Sequence, residues 1–181
     1  MDKHTALLLP KSRFGDNAFE SNFAAAVASS LKAPFAVLCV GSDRRLADCF
    51  GPILGSLLAE ATRQEVYGTL SKPVHKENLL FTLDRIRSSC PSAMVITVDA
   101  ASSSDRPLGD ILFSESGVRA ASAIGPFGMP AGDVSLLGVT DAPSAMFPAT
   151  GAIRLIELYE MANAALRVLS EAFALTARAH A

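Results

Sequence analysis

The chain has 181 residues, half of them apolar, and a net charge of −2 at neutral pH. That length and composition suffice to bury a core in one domain, here 1–181, while the slightly acidic balance argues against a nucleic-acid surface. Three cysteines, Cys39, Cys49 and Cys90, have no CxxC spacing and fit a reducing compartment better than a disulfide framework.

Residues 1–15 read as a surface-lying arm, with Pro10 and Gly15 in a mostly polar stretch. The Leu7-Leu8-Leu9 run is too short for a signal-peptide core, and no apolar segment reaches the roughly 18–20 residues needed to cross a bilayer. A cytoplasmic protein without a membrane partner is the expectation. Asp16 can cap a helix whose Phe19, Phe23, Val27 and Leu31 recur every fourth residue. Pro34 closes it. Phe35 to Val40 is an unbroken apolar run, the pattern of a strand covered on both faces, and Gly41 ends it.

Pro52 tolerates only the first turn of a helix, so the next helix starts little earlier than Asp48 and ends near Arg63. Ile53, Leu54, Leu57, Leu58 and Ala61 share one stripe, with Gly51 and Gly55 spaced for close packing. Glu65 to Leu70 is a short strand candidate. Ser71-Lys72-Pro73 reads as a helix start, which predicts a helix from Val74 to Ser88 with Leu79, Leu80, Leu83 and Ile86 inward. Ala93 to Val98 is a second buried strand, ending at Asp99, and the Ser-rich stretch 100–110 reads as a loop. Ile111 to Ser114 is a short strand expected at an edge. Residues 117–133, dense in Gly and Pro, are too punctuated for regular structure. Val134 to Val139 is a third strand. Thr150 is the expected cap of a long terminal helix with Leu155, Tyr159, Ala162, Leu166, Leu169 and Phe173 on its buried face. The alternation of strands and helices predicts a mainly parallel sheet with helices on both sides.

Chemistry concentrates at two acids, Asp48 and Asp99, each at or just past the end of a buried strand, where open α/β folds collect ligands and catalytic groups. If the strands are neighbours, one carboxyl can hold a proton while the other is ionised, and the pair can act as acid and base. The plainer alternatives are that Asp48 caps its helix and that Asp99 bonds its own loop. Asp43, beside Arg44 and Arg45, is either a supporting acid or a solvated, salt-bridged loop residue. Cys49 favours packing, since no histidine lies nearby in sequence to activate it. His75, expected at a helix start where the dipole disfavours its charged form, is a candidate neutral ligand or base. No GxSxG elbow, HExxH pair, Walker loop or GxGxxG after a strand is present.

The residues Val40-Gly41-Ser42-Asp43-Arg44, Asp48-Cys49-Phe50-Gly51-Pro52, Val66-Tyr67-Gly68-Thr69-Leu70, Pro73-Val74-His75 and Asn78-Leu79 resemble the sporulation proteins called the YyaC family. Val95-Ile96-Thr97-Val98-Asp99-Ala100 and Gly132-Asp133-Val134-Ser135 extend the likeness, which covers roughly residues 35–170. That family is similar in turn to the spore germination proteases and the HybD-like hydrogenase maturation proteases. The resemblance implies a three-layer α/β/α, phosphorylase/hydrolase-like fold and an aspartate-dependent endopeptidase acting on a protein or peptide substrate. It places Asp48 and Asp99 at the relatives' two acids, with Asp43, Gly41 and Ser42 in support. In the maturation proteases the matching acids help bind a metal, which would point to nickel or zinc on Asp48, Asp99 and His75. Those relatives carry a further histidine late in the chain, and here none occurs between Lys76 and Ala179. The longer N-terminal extension of the germination proteases is also missing. No cofactor is required by this reading, and a homo-oligomer stands as an open option. The rival reading is a catalytically silent binding protein that keeps the hydrolase fold.

Overall fold

A computed structural model describes residues 7–117, 131–142 and 153–179. Among these residues six strands form one sheet: β1 (Leu7–Leu9), β2 (Phe35–Cys39), β3 (Glu65–Tyr67), β4 (Met94–Ser102), β5 (Ile111–Ser114) and β6 (Val134–Asp141). Their spatial order is β1-β5-β6-β4-β2-β3. The pairings of β3 with β2, β2 with β4 and β4 with β6 are parallel, whereas β5 runs antiparallel to both β6 and β1. Among the described residues four α-helices flank the sheet: α1 (Asn17–Ser29), α2 (Phe50–Ala61), α3 (Leu79–Ser89) and α4 (Leu155–Ala179).

Alternating side chains sort the two faces of the sheet. Val37 and Cys39 of β2, Ile96 and Val98 of β4, and Val134 and Leu136 of β6 pack with α1, α2 and α4 in the larger core. Ala36, Leu38, Val40 and Val95 turn to the other face and meet Leu79, Leu83 and Ile86 of α3. The result is the expected three-layer α/β/α sandwich with a mostly parallel sheet. The Asp16 side chain accepts from the Phe19 N–H and caps α1 as expected. Among the described residues, no helix is long and apolar enough to cross a membrane.

Several expectations need correction. Residues 7–9 of the supposed surface arm are strand β1, with Leu9 fully buried, because its apolar residues complete the sheet next to β5. The same addition makes β5 an interior strand instead of an edge. Strand β4 continues through Asp99 to Ser102, since β6 pairs with it along that extra length. Helix α3 begins at Leu79, five residues after the expected start. The stretch before it is held by Asn78, whose Oδ1 accepts from the His75 N–H (2.8 Å) and whose Nδ2 donates to the Pro73 carbonyl (3.1 Å). With that later start Leu80 faces solvent, while Leu79, Leu83 and Ile86 are buried. On α4, Leu155 and Tyr159 are exposed, and Leu158, Met161, Ala165 and Val168 join Ala162, Leu169 and Phe173 in the core. The expected cap Thr150, and most of the Gly-Pro-rich stretch 117–133, lie outside the described residues.

Candidate active site

The order of the parallel strands reverses between β2 and β4. From β2 the chain passes through α2 to β3 on one side, then through α3 to β4 on the other. Such a switch opens a crevice at the carboxyl ends of the two strands, because their connections leave in opposite directions.

The loop after β2 is shaped around that crevice. The Val40 N–H donates to the Val98 carbonyl (2.7 Å) and the Gly41 N–H to the Val74 carbonyl (2.8 Å). Gly41 has φ +146°, and a Cβ there would sit 2.2 Å from the Asp48 carbonyl oxygen. Glycine is therefore required for the chain to fold back, and the Ser42 N–H closes the loop on that same oxygen (3.1 Å). A 3-10 turn, Leu46–Asp48, leads into α2. The first turn of α2 presses on the end of β2, since a Cβ at Gly51 would lie 2.0 Å from the Val40 carbonyl oxygen. This packing sets Asp48 at the mouth of the crevice.

Asp48 does not cap α2: the capping position belongs to Cys49, and no side chain bonds the helix start. Its carboxylate is about half exposed (47%), with Arg45 Nε 4.0 Å from Oδ2. Asp99 pairs with Leu137 of β6, and it stands one residue past the point where β2 ends opposite Val98. It is therefore inside the strand on one side and at a step in the sheet on the other. Its Oδ1 accepts from the Ala100 N–H (2.8 Å). Burial pushes the Asp99 carboxyl up, the Ala100 N–H works against that, and the charge of Asp48 adds to the rise, leaving it at about 7. The two acids thus sense each other through charge and not through a hydrogen bond.

Both line one cleft of about 380 Å³, together with Gly41, Ser42, Arg44, Arg45, His75, Lys76 and Glu77 among the described residues. His75 reaches it by a route other than a helix start: Val74 bridges Val40 and extends the sheet edge by one residue. The helix-dipole argument for His75 therefore does not apply. Its Nδ1 lies 3.9 Å from Glu77 Oε2. Asp43 is exposed on the same loop and is not among the residues that line the cleft. The amides of Gly41 and Ser42 are both committed within the fold, so these residues shape the loop and do not offer free N–H donors. The Cys49 thiol donates to the Ser42 (3.4 Å) and Arg45 (3.2 Å) carbonyls. Burial, then the charges of Asp43 and Asp48, push it up, which suits packing and not attack. All three cysteines are free.

Among the described residues, no group of three or more His, Cys, Asp and Glu could hold a metal ion. Asp48, Asp99 and His75 share the cleft without forming such a set. The cations Arg44, Arg45 and Lys76 are functional candidates that the sequence reading passed over. The signal available was their adjacency to Asp43 and His75 in the two loops that meet here.

Comparison with known proteins gives the lineage of this arrangement. No solved structure matches the chain. The "Uncharacterized protein YyaC" of Bacillus subtilis (strain 168) is 30% identical over 148 residues, covering 80% of this chain and 70% of that protein. The family model described as "Protein of unknown function (DUF1256)" matches residues 13–168, a span that holds α1 through the larger part of α4 and every cleft residue named above, and the chain belongs to that family.

Proposed function

We propose that this protein is a peptidase-like hydrolase of sporulation, in which Asp48 and Asp99 activate a water for attack on a peptide carbonyl. The observation that carries the reading is the meeting of the two acids in one crevice, with Asp99 held at about 7 by burial and by the charge of Asp48. At that value about half of the Asp99 carboxyls hold, at neutral pH, the proton that a leaving group needs.

Asp48, ionised, takes a proton from water as the water oxygen bonds to the carbonyl carbon. Asp99 then gives its proton to the amide nitrogen as the carbon–nitrogen bond breaks. Asp48 ends protonated and Asp99 ionised, and solvent exchange restores the starting state. A role in spore-protein turnover follows from the resemblance to germination proteases and comes to this chain only by that analogy.

The test is cleavage of small spore proteins by the wild type, Asp48→Asn and Asp99→Asn. Turnover by the wild type with a loss of about 100-fold or more in each variant is expected, the usual size of an acid or base contribution. The wild-type rate should also fall as pH rises through about 7, where Asp99 gives up its proton. Equal rates for all three proteins would end the dyad assignment. The second reading, a silent binding protein on the same fold, is favoured by the Gly41 and Ser42 amides being engaged within the loop. It predicts partner retention at the cleft with no turnover by the wild type.

A further inference from the structure

We propose that two copies of this chain pair along α4, antiparallel about a two-fold axis that passes between Asn163 and Leu166. The pairing uses the face of α4 turned away from the core and is independent of the chemistry in the cleft.

Leu155, Ile156 and Tyr159 are 63, 50 and 52% exposed, three large apolar side chains close together at the start of one helix. A cluster of that kind marks a contact surface. From Ile156 the outer residues recur at Tyr159, Asn163, Leu166 and Ser170, alternately three and four positions apart, and Ala174 follows. That is the spacing of the seam between two coiled helices. Ile156, Tyr159 and Ala174 are exposed, and Asn163, Leu166 and Ser170 are half-buried. Beside the seam lies an open groove of about 490 Å³, with Phe14, Tyr159, Glu160, Asn163 and Arg167 on its walls, which leaves room for a second helix.

The surface that fits this seam is the seam itself. Its first half carries the bulky Ile156 and Tyr159, and its second half the small Ser170 and Ala174. Two antiparallel copies set Tyr159 against the partner's Ser170 and Ile156 against the partner's Ala174, so each bulky side chain meets a gap. The flank is charge-complementary in the same register. Glu160 has no ion-pair partner among the described residues, and it comes to face the partner's Arg167. Arg167 is bidentate on Glu20, and its side chain is still 48% exposed. A parallel pair would instead crowd Tyr159 on Tyr159 and bring Glu160 to Glu160. Asn163, whose Nδ2 donates to the Tyr159 carbonyl (2.8 Å), is the polar member of the seam, a device that fixes register and the number of helices. The net charge of −2 opposes self-association only weakly.

The experiment is sedimentation equilibrium of the full chain, with cysteine cross-linking to read the register. At about 100 μM the wild type should run at twice its 18.9 kDa. Ile156→Asp/Tyr159→Asp should weaken association about 100-fold or more while keeping the wild-type far-UV spectrum, since both side chains are exposed. Glu160→Arg should weaken it about tenfold, less at high salt, and Glu160→Gln by a smaller factor. A Cys90→Ser background removes the thiol that lies outside the core. On it, Tyr159→Cys and Ser170→Cys should form a disulfide when the two proteins are mixed and oxidised, and neither should cross-link alone. A wild type that stays monomeric at that concentration overturns the proposal and leaves the face to a partner of other chemistry. A dimer that survives in the folded aspartate variant, that is indifferent to charge reversal at Glu160, or that gives no mixed cross-link overturns it as well.

Discussion

At residue 99 a carboxyl is kept half-buried at a step in the sheet, and its cost is measurable as a dependence of stability on pH. Its folded value of about 7 lies above the ordinary 3.8. Between those values the unfolded chain has released the proton and the folded chain still holds it. The penalty for burying the charge is thus absent below about 3.8, grows as pH rises, and is complete above about 7, so stability is lost across that window. Asp99→Asn carries no such dependence. In urea titrations it should match or trail the wild type near pH 4 and exceed it at pH 8 by roughly 1–3 kcal/mol, discounted for partial solvent contact. A gap that does not change between those pH values would contradict the raised carboxyl. The residue types at 48 and 99 were readable in the sequence. The shift was not, because it comes from burial against β6 and from a charge 51 positions away along the chain.

Helices and strands were readable to the extent that their signals are local. The cap at Asp16, the glycine spacing of α2 and the apolar runs of β2 and β6 depend on neighbours a few residues apart, and each is found in place. Helix α3 shows the limit. Pro73 permits a helix start, but Val74 is drawn into a bridge with Val40, so the helix waits for Asn78 and its face rotates. Leu80, 53% exposed, is the residue most affected. Phe50 is the converse case, with no exposed surface and its ring against Gly138. Phe50→Ala should cost about 3–5 kcal/mol in chemical denaturation, whereas Leu80→Ala should stay within about 0.5 kcal/mol. A comparable loss at both sites would contradict the assigned faces of α2 and α3.

Across the whole molecule, one covering layer is tied together by an ion pair between helices at opposite ends of the chain. Glu20 of α1, almost wholly buried, accepts from Arg167 Nε (2.8 Å) and Nη2 (2.7 Å) of α4, and from the Gly15 N–H (2.8 Å). Burial alone would raise its carboxyl. The guanidinium and the amide outweigh burial and hold it below the usual carboxylate range. The stability this adds is present above the unfolded value of about 4.5 and is lost as pH falls through the lowered folded one. Arg167→Ala strands the Glu20 carboxylate and should cost about 2–4 kcal/mol at pH 7, less at pH 4 where Glu20 can take up a proton. Thermal melts at the two pH values test this; a pH-independent loss would mean that packing and not charge holds α1 to α4.

The sequence by itself determined the fold class, most of the strands and helices, and the loop after β2 that leads to Asp48. It could do so because apolar periodicity, caps and glycine spacing act between near neighbours. The strand order, the length of β4, the place of β1 and the joining of Asp48 to Asp99 were decided only in three dimensions. Those features depend on which strands lie side by side, and backbone pairing carries almost no mark in the residues that make it. The crevice exists because the chain turns opposite ways out of β2 and β4, a property of the assembled sheet and of neither strand alone.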